Sequence, residues 1–548
     1  MSASELPVLI VGGGPVGLAL AAELGWQGIR CLLIEQGDGV VKTPKMNEVN
    51  TRSMELCRRW GLADQVLDTP FPLDWPKDVV FVTSMSGYEL GRVARPPRRV
   101  RASEHSPEYT QTCSQHWFDP ILQRFARSFP HVALRYRCRL QSFTQDADGV
   151  TATLIDLDSG QEERIAARYL AGCDGAQSTV RRGLGIALEG KGVLGCAVNM
   201  FFRATDLLGI CGKEPGTFFI PVDRGGVWAN IRVIEPRSGL WRLMVNETDP
   251  DTSAETVDKE AYLRRGLGRA LAVEWVDVNI WRRQSVLASS YGAGRVFLLG
   301  DAVHQVSPTG ALGMNTGIAD AVDLGWKLAA MLQGWGGAML LQSYDAERRP
   351  AGARAVASAT RFHANQTGWG EGLDRLDAPG PAGDALRRRI GGRLVANIGV
   401  EFRTMGLQLG YTYQNSPICI DDGTPAPIDD PETYRPTARP GARAPHLWLG
   451  EERSVLDCFK RGFTLLRCGA AAPDAAPLVE AAALRGMPLD IVAVDAAPAL
   501  ALYERRLVLV RPDGHVAWRA DELPADPGAI LDRVRGTAQR RVRLQRPA

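Results

Sequence analysis

The sequence predicts an α/β fold, and three stretches of the chain support this prediction. The first is an apolar strand, 8–11, that runs into a glycine turn and then into a helical pattern. The second is an apolar strand, 30–34, followed directly by Glu35. The third is an apolar strand, 295–299, that ends at Gly300-Asp301 before a glycine-rich loop and a long amphipathic stretch. Strands that alternate with helices are typical of a mostly parallel sheet covered by helices.

The first turn has the spacing of a dinucleotide-binding motif. Gly12 permits a tight turn, Gly14 lets the backbone approach a pyrophosphate, and Gly17 lets the following helix pack closely on the strand. Pro15 suits the first turn of a helix, whose open N-terminus attracts phosphate. Glu35 follows Gly17 by eighteen residues, close to the ~20 expected of an acid that binds a ribose hydroxyl. The motif predicts a Rossmann-like domain, but by itself it does not decide between FAD and NAD.

The composition is that of a large protein with balanced charge. The chain has 548 residues, with 64 Lys and Arg, 62 Asp and Glu, and a formal net charge of +2. This length allows two or three domains, and the charge balance argues against nucleic acid as the main partner. The basic stretch 540–546 is expected to be a solvated tail. No signal peptide and no apolar run of about 18 residues is present, so no membrane association is expected.

The ten cysteines form no CxxC pair and no spacing typical of a metal site. This pattern favours reduced thiols in a cytoplasmic protein, and no bound metal is expected.

Three polar residues lie beside predicted elements; Gln115 is a candidate for a cofactor contact, and Arg52 and Asp174 take such a role chiefly through the resemblance described below. Asp174 begins an Asp-Gly turn directly after the apolar strand 168–172. Gln115 lies just ahead of a helix predicted at 116–129, and Arg52 lies at the start of a helix predicted at about 50–60. The alternatives are a polar helix start for Gln115 and an exposed arginine for Arg52.

A second glycine pattern, 190–195, does not qualify as a nucleotide site. No clear strand precedes it, and the residues after it are typical of a strand rather than a helix. The chain from 197 to 280 is rich in predicted strands, and Asn230 and Arg232 alternate there with apolar residues. These two side chains are candidates for substrate contacts; the alternative is a solvated face of the sheet.

The loop 308–317 is the other candidate for chemistry. It follows Asp301, which ends a strand and is well placed to bind the ribityl chain of a flavin. The glycine-rich loop leads into a long helix, so its backbone N–H groups would gather at a helix N-terminus. Such groups can stabilise negative charge on a reduced flavin ring.

Taken together, these motifs resemble the group A FAD-dependent aromatic hydroxylases, whose fold is like that of p-hydroxybenzoate hydroxylase. The resemblance covers nearly the whole chain and is carried by 12–17 with Glu35, Asp174-Gly175, Gly300-Asp301, 308–317, 320–329, 344–350, 410–411, 422–423 and 440–446. The C-terminal part is similar to the chlorophenol and 3-hydroxyphenylpropionate hydroxylase branch, with a further similarity to methylnitrocatechol monooxygenases. Gln177 and Ala311 depart from the family, which often has Arg and Gly at these places.

The resemblance implies a discontinuous architecture. The Rossmann-like FAD-binding domain would comprise residues 1–72, 107–182 and 285–365. An inserted β-sheet domain for substrate would comprise 73–106 and 183–284, followed by a helical linker region, 366–433. A thioredoxin-like C-terminal domain would comprise 434–548. Since Cys468 stands there without a second redox cysteine, a structural or dimer-supporting role is expected for that domain.

The family's reaction is implied as well. FAD takes a hydride from NADPH or NADH, without a second Rossmann domain, and reacts with O2 to give a C4a-hydroperoxyflavin that hydroxylates a phenolic or catecholic ring. A ring substituent such as nitro can be displaced. The partners implied are therefore a small aromatic substrate, O2 and NAD(P)H, and the protein is expected to be a homodimer.

The resemblance also implies roles for residues of this chain. Those expected to bind the cofactor are Gly12, Gly14, Pro15, Val16, Gly17, Glu35, Arg52, Gln115, Asp174, Asp301, Pro308, Gly313, Met314 and Asn315. The residues expected beside the reacting atoms are Pro308, Gly310 and Gly313.

The base that ionises the phenol is left open among several aromatic residues. The candidates are Tyr88, Tyr109, His105, His116, Tyr291 and His304, and His304 is expected to be structural because it belongs to the Asp301 motif. Competing functions are a flavin halogenase, a flavin reductase acting on a double bond, and a flavin-binding redox sensor without turnover. The WxWxIP segment of tryptophan halogenases is absent from the sequence.

Overall fold

The structure is a computed structural model that describes residues 6–247, 252–367, 369 and 372–537. The predicted basic tail at 540–546 lies outside the described residues. The helices are α1 (Pro15–Trp26), α2 (Thr51–Arg59), α3 (Ala63–Leu67), α4 (Gln115–Arg127), α5 (Thr179–Gly183), α6 (Leu207–Cys211), α7 (Lys259–Leu267), α8 (Gly313–Leu332), α9 (Ala338–Asn365), α10 (Gly380–Asn397), α11 (Met405–Leu409), α12 (Ala476–Ala483), α13 (Ala497–Tyr503) and α14 (Pro527–Val534).

The strands are β1 (Leu6–Val11), β2 (Cys31–Ile34), β3 (Glu48–Val49), β4 (Val79–Val82), β5 (Glu89–Val93), β6 (Gln111–Thr112), β7 (Val132–Arg135), β8 (Cys138–Gln145), β9 (Val150–Asp156), β10 (Glu162–Gly172), β11 (Leu188–Arg203), β12 (Phe218–Asp223), β13 (Gly226–Val227), β14 (Ala229–Glu235), β15 (Leu240–Glu247), β16 (Glu274–Ala288), β17 (Gly292–Ala293), β18 (Val296–Leu298), β19 (His304–Gln305), β20 (Phe463–Cys468), β21 (Leu489–Val494), β22 (Leu507–Val510) and β23 (Val516–Ala520). Three short 3-10 helices complete the list: Gly300–Ala302, Gly399–Phe402 and Val455–Cys458.

The first sheet is built around parallel strands, as predicted. Its order is β17-β18-β10-β1-β2-β7, with β9 and β8 added to β10, and β1 pairs in parallel with both β10 and β2. Val8, Leu9 and Ile10 are fully buried, because helices cover both faces of such a sheet. The carboxyl ends of β1, β2, β10 and β18 therefore point to one edge, where ligands of open α/β sheets bind.

The second sheet is largely antiparallel and carries the predicted insertion. Its order is β19-β16-β11-β15-β14-β12-β4-β5, so the early strands β4 and β5 join strands that come much later in the chain. The alternating stretch that contains Asn230 and Arg232 forms β14, and residues 229–234 of this strand are all buried. The alternative of a solvated face at Asn230 and Arg232 is therefore wrong, because both faces of this strand are covered.

A third, four-stranded sheet of order β21-β20-β22-β23 lies in the C-terminal part. β20 and β21 are parallel and joined through α12, whereas β22 and β23 form an antiparallel hairpin followed by α14. This is a small α/β domain, as expected; its likeness to thioredoxin and the domain boundaries stay predictions. Among the described residues, no helix is long and apolar enough to cross a membrane.

Several elements differ from the sequence prediction in their limits. The glycine pattern 190–195 lies inside the long strand β11, with register shifts at Gly190/Gly192 and Val193/Gly195. The predicted strand 168–172 is the end of the longer strand β10, and β8 was not predicted. The helix after the glycine-rich loop begins already at Gly313, inside the predicted loop. Glycines hide such limits because they are compatible with loops, bulges and helix starts alike.

Candidate cofactor and substrate site

A large cavity lies between the first two sheets. Its volume is about 1570 Å³, whereas the pocket of one small ligand measures roughly 300–1,000 Å³. One wall contains the strand ends of the first sheet with the N-termini of α1 and α8, and the other contains the inner face of the second sheet. The cavity therefore has room for two ligands side by side.

The nucleotide end of the cavity is built by the first turn and α1. Gly12, Gly14, Pro15, Val16 and Glu35 line it. Gly14 precedes α1 without any side-chain cap, so the first N–H groups of the helix are available to an anion. A Cβ at Gly14 would meet no atom within 4 Å, so the space in front of this turn is open.

Two further glycines of the motif serve packing. Gly12 has a φ of +109° and lies against the Cys173 carbonyl, so a side chain there would be both strained and blocked. Gly17 does not line the cavity, but a Cβ at this position would lie 1.9 Å from the Gly12 carbonyl oxygen. Gly17 therefore sets the distance between α1 and the turn.

Glu35 lies at the end of β2 and is held by the backbone. Its carboxylate accepts hydrogen bonds from the N–H groups of Gly13 (2.6 Å) and Gly37 (2.7 Å). A carboxylate has about four acceptor sites, so two remain for the hydroxyl groups of a ribose. This is the arrangement that the spacing predicts.

The polar candidates Gln115, Asp174 and Asp301 all line the cavity. Asp174 also accepts hydrogen bonds from the N–H groups of Thr179 (2.7 Å) and Val180 (3.0 Å), which fixes it at the start of α5. The Gln115 side chain accepts from the Lys45 N–H and donates to Asp119. Asp301 is exposed to the cavity, and desolvation by the surrounding protein raises the pKa of its carboxyl.

The glycine-rich loop forms the middle of the cavity wall. Pro308, Gly310, Gly313, Met314 and Asn315 all line it. Leu312 precedes α8 without a side-chain cap, so this second helix N-terminus also presents free N–H groups to the cavity. Ala311 has a φ of +53°, in the left-handed region that favours glycine, which accounts for the family's frequent glycine at this place.

Arg52 is not brought to the cavity. Its guanidinium is buried, pairs with Glu55 at 2.8 Å and donates to the Asp513 carbonyl of the C-terminal domain. The helix start was predicted correctly, but Arg52 lies on the side of α2 that faces away from the cavity.

The geometry fits FAD. Two open helix N-termini suit the pyrophosphate and a flavin ring that carries negative charge, and Glu35 suits the adenosine ribose. Asp174 and Asp301 also line the cavity and suit the hydroxyl groups of a polar chain such as the ribityl group. The second sheet then leaves space beside the flavin end for another ligand.

Three buried arginines dominate that space. Arg232 on β14, Arg242 on β15 and Arg283 on β16 all line the cavity. Burial and mutual repulsion lower the pKa of Arg242 to about 9, and burial lowers those of Arg232 and Arg283 to about 10. Each Nε atom has no hydrogen-bond partner among the described residues, and the same holds for Nη2 of Arg232.

Few carboxylates oppose these arginines. Glu48 lies 3.5 Å from Arg232 but is held more closely by Arg95, at 2.8 Å. Glu401 accepts from Gln366, and burial raises the pKa of its carboxyl to about 8, so it carries little charge at neutral pH. Asn230 accepts from Arg242 at 3.3 Å. This part of the cavity is therefore positively charged and suited to an anion.

Of the six candidates for a phenol base, Tyr109 lines the cavity and the others do not. The amine of Lys77 lies 5.5 Å from the centre of the Tyr109 ring. Burial lowers the pKa of the Lys77 amine to about 7. His304 is fully buried and bonded to Asp320 at 2.9 Å, which confirms that it is structural.

Sequence reasoning missed Arg242, Arg283, Glu48 and Glu401. Arg242 gave a usable signal, because it interrupts the apolar run of β15 as Arg232 interrupts that of β14. The two glutamates gave none, since a lone acid outside any recognisable motif is normally solvated.

The fold and site define a flavin-dependent oxidoreductase, and comparison with known proteins identifies its family. The family described as "FAD binding domain" matches residues 5–359, and "Aromatic-ring hydroxylase, C-terminal" matches residues 437–538. The chain belongs to the FAD-dependent aromatic-ring hydroxylases. It is thus an FAD-dependent aromatic monooxygenase with NAD(P)H as co-substrate, as predicted.

Individual relatives align over nearly the full length. Tetracenomycin B2 monooxygenase-dioxygenase from Streptomyces olivaceus is 33% identical, covering 97% of this chain and 98% of the relative. 4-Methyl-5-nitrocatechol 5-monooxygenase from a Burkholderia species is 32% identical, covering 96% of each. The solved structure of RebC, soaked with chromopyrrolic acid and containing bound 7-carboxy-K252c, is 40% identical with a TM-score of 0.90, covering 97% of this chain and 99% of that one.

Proposed function

We propose that this enzyme hydroxylates a phenolic ring of a large aromatic substrate that carries a carboxylate. The observation that supports this substrate class most directly is the group of three buried arginines with unused donors in the cavity. A buried guanidinium is normally paired, so unpaired donors on side chains that line a large cavity favour a ligand that supplies the acceptors. A carboxylate accepts the paired N–H groups of arginine in a bidentate geometry.

The size of the cavity supports a substrate larger than a single ring. About 1570 Å³ exceeds the roughly 300–1,000 Å³ of one ordinary ligand pocket, so much space remains beside FAD. The relative RebC was solved with bound 7-carboxy-K252c, a ligand whose name indicates a carboxy substituent. Small phenols and nitrocatechols stay within the family's range and serve as comparison substrates.

The chain's own residues would act by binding, orienting and shielding. When bound, FAD supplies hydride acceptance and oxygen activation. The N-terminus of α8 would stabilise negative charge at the flavin ring, and the loop 308–315 would hold the ring against the substrate space. Arg232, Arg242 and Arg283 would fix the carboxylate and thereby the position of the ring to be hydroxylated.

Solvent exclusion is the other contribution of the protein. The inner face of the second sheet closes the substrate space, and residues 229–234 of β14 are all buried. A site closed in this way would keep water away from the chemistry that FAD supplies when bound. No base is assigned; Tyr109 is the aromatic candidate at the cavity wall.

The proposal is tested with purified holoenzyme and paired substrates. A panel of phenolic polycyclic carboxylic acids, their methyl esters, simple phenols and 4-methyl-5-nitrocatechol is screened for stimulated oxidation of NADPH and NADH. We expect the acids to stimulate most strongly and their products to gain one oxygen atom. Equal stimulation by acids and esters would contradict the proposed role of the carboxylate in binding. Release of nitrite from 4-methyl-5-nitrocatechol would identify displacement of a nitro group. The absence of any oxygenated product would overturn the proposed hydroxylation.

A matched pair of variants tests the arginines. Arg242→Met should weaken binding of the carboxylic acid by about 10- to 100-fold, because a hydrogen bond to a charged group contributes about 1.5–3 kcal/mol. The same change should leave the ester unaffected. Arg203→Met is the control, since Arg203 lies on β11 outside the cavity lining and donates to the Ser238 carbonyl.

We also propose a homodimer located in the cytoplasm. All ten cysteines are free thiols, which supports a reducing compartment. Light scattering coupled to size-exclusion chromatography measures the oligomeric state, and a mass of one chain would contradict the dimer.

A further inference from the structure

One turn of the C-terminal domain, residues 511–515, packs among helices of the FAD-binding part of the chain. We propose that this wedge turn positions the walls of the cofactor cavity, and that Arg511 is its main positioning residue. The wedge turn lies between α2 on one side and α8 with α9 on the other. The proposal gives the C-terminal domain a role in FAD binding, although it contributes no residue to the cavity lining.

The first contact is with α8 and α9. Arg511 donates to Asp323 of α8 at 2.9 Å and to both oxygens of Glu347 of α9, at 2.7 and 3.0 Å. Its Nη2 also donates to Asp513 at 2.7 Å, and the whole side chain is fully buried. Lys327 of α8 completes the cluster, at 2.7 Å from Asp323 and 2.6 Å from Glu347.

Charge balance shows what Arg511 does in this cluster. Three buried carboxyl groups face two cations, and burial raises the pKa of Asp323 to about 7. Removal of Arg511 would leave Glu347, Asp513 and the partly charged Asp323 with Lys327. Buried charges without partners are strongly unfavourable, so the helices would have to separate or admit water. Arg511 therefore fixes the separation of α8 and α9.

A second line of contacts extends from the wedge turn toward the turn that holds Asp301. The His515 ring lies against Tyr413, at 4.3 Å between centroids, and the Tyr413 hydroxyl accepts from Arg348 at 3.2 Å. Arg348 pairs with Asp320 at 2.8 Å. Asp320 in turn accepts from the Gly300 N–H and bonds His304, the two residues that flank the Asp301 turn.

The third contact is with α2 and, through it, with α1. The carbonyls of Asp513 and Pro512 accept hydrogen bonds from Arg52 and Arg59 of α2. Arg59 also pairs with Glu23 of α1, which accepts in addition from the indole of Trp60 at 2.8 Å. Glu23 lies near the end of α1, whose other end is the phosphate-binding turn.

The near ends of these helices meet at the cavity. The Asn50 N–H, which precedes α2, donates to the Asn315 side chain in the first turn of α8 at 2.9 Å. Asn315 donates in turn to the Ala311 carbonyl of the flavin loop at 2.8 Å. The wedge turn contacts α2 at Arg52 and Arg59 and the middle of α8 at Asp323. Because helices are rigid and transmit displacement, these contacts influence the loop 308–315 and the two helix N-termini.

The test measures FAD affinity and loop order in the full-length chain. Arg511→Lys keeps the charge but loses the bidentate geometry. We expect FAD, titrated by flavin fluorescence, to bind about 3- to 30-fold more weakly, and amide hydrogen exchange in 308–315 to become faster in the apoprotein. Arg519→Lys is the matched control, because Arg519 is a buried arginine of β23 that bonds to Asp422 and Glu504, away from α2 and α8.

The outcomes separate positioning from general stability. The proposal predicts that both variants lower the urea midpoint, but that only Arg511→Lys changes FAD affinity and exchange in the loop. Wild-type FAD affinity in Arg511→Lys, or equal weakening by Arg519→Lys, would overturn it. If Arg511→Lys does not fold, Arg59→Lys tests the α2 side, where unchanged FAD affinity would overturn the proposal. None of these readouts depends on the identity of the substrate.

Discussion

At the scale of single residues, the site is made by groups whose ordinary pairing is incomplete. Arg232, Arg242 and Arg283 lack some hydrogen-bond partners, and Glu35 uses two of its acceptor sites on the backbone. Unpaired Nε atoms also occur in Arg52, Arg59 and Arg98 away from the cavity, so what distinguishes the three arginines of the site is that they line a large cavity.

Glu401 gives the substrate space a predicted pH dependence. Its pKa is raised from 4.5 to about 8, mainly by burial, so the carboxyl is neutral at neutral pH and becomes charged as the pH rises through about 8. The new charge would partly neutralise Arg283, so a carboxylate ligand should bind more weakly above pH 8. Affinity measured from pH 6 to 9 tests this, and Glu401→Gln should remove the step.

The same shift affects stability with a defined sign. Because the folded chain holds this proton more tightly than the unfolded chain, the free energy of unfolding should fall as the pH rises from 4.5 to about 8. Glu401→Gln should flatten that part of the profile. A pH step in ligand affinity that persists in Glu401→Gln would show that another group is responsible.

Ala311 offers a second prediction. A left-handed conformation costs an alanine roughly 1–2 kcal/mol, and replacement by glycine would relieve this cost. Part of the resulting stabilisation is offset by the greater conformational freedom of glycine in the unfolded chain. Ala311→Gly should therefore raise the free energy of unfolding by up to about 1 kcal/mol while FAD affinity stays the same. Ala357→Gly, on the exposed side of α9, is the control and should lower it by about 1 kcal/mol. Denaturant titration measures both, and a destabilised Ala311→Gly would contradict the prediction.

At the scale of elements, the packing of α1 on β1 separates two roles of glycine. Gly17→Ala would place a methyl group 1.9 Å from the Gly12 carbonyl, so the fold itself should be destabilised. Gly14→Ala meets no protein atom within 4 Å and has ordinary backbone angles, so the apoprotein should keep its stability. The added methyl group would nevertheless occupy space needed by the pyrophosphate, so FAD should bind much more weakly.

Thermal unfolding of both apoproteins and flavin fluorescence titration check this contrast. Wild-type FAD affinity in Gly14→Ala would show that the pyrophosphate does not approach this turn. An unchanged midpoint in Gly17→Ala would show that the helix can move away from the strand.

The same elements explain how much could be predicted from sequence. Local patterns predicted β1, α1, β2 and the loop before α8, because glycine spacing and apolar runs are properties of neighbouring residues. The arginines of the substrate space come from three strands paired across the sheet, β14, β15 and β16. Their meeting depends on long-range pairing that no local pattern contains, and Arg52 was assigned to the cavity because a helix start does not reveal which side it presents.

At the scale of the whole molecule, buried ion pairs join the C-terminal domain to the FAD-binding part. Arg511 pairs with Asp323 and Glu347, and Arg443 pairs with Glu55 of α2. A small α/β domain with its own sheet could fold alone, but separation would leave these charges unpaired. Breaking a buried pair costs about 3–5 kcal/mol, which is a large fraction of the stability of a domain.

We therefore expect one cooperative unfolding transition rather than two. Thermal unfolding followed by flavin release, by tryptophan fluorescence and by circular dichroism should give coincident midpoints, because Trp518 of the C-terminal domain packs in one core with Trp326 and Trp335 of the FAD-binding part. Melting of the C-terminal domain while the flavin stays bound would contradict this coupling. Arg443→Met is a direct perturbation: it leaves Glu55 with Arg52 and Ser106 as partners. It should lower all three midpoints together, since the interface it weakens holds both parts in one cooperative unit.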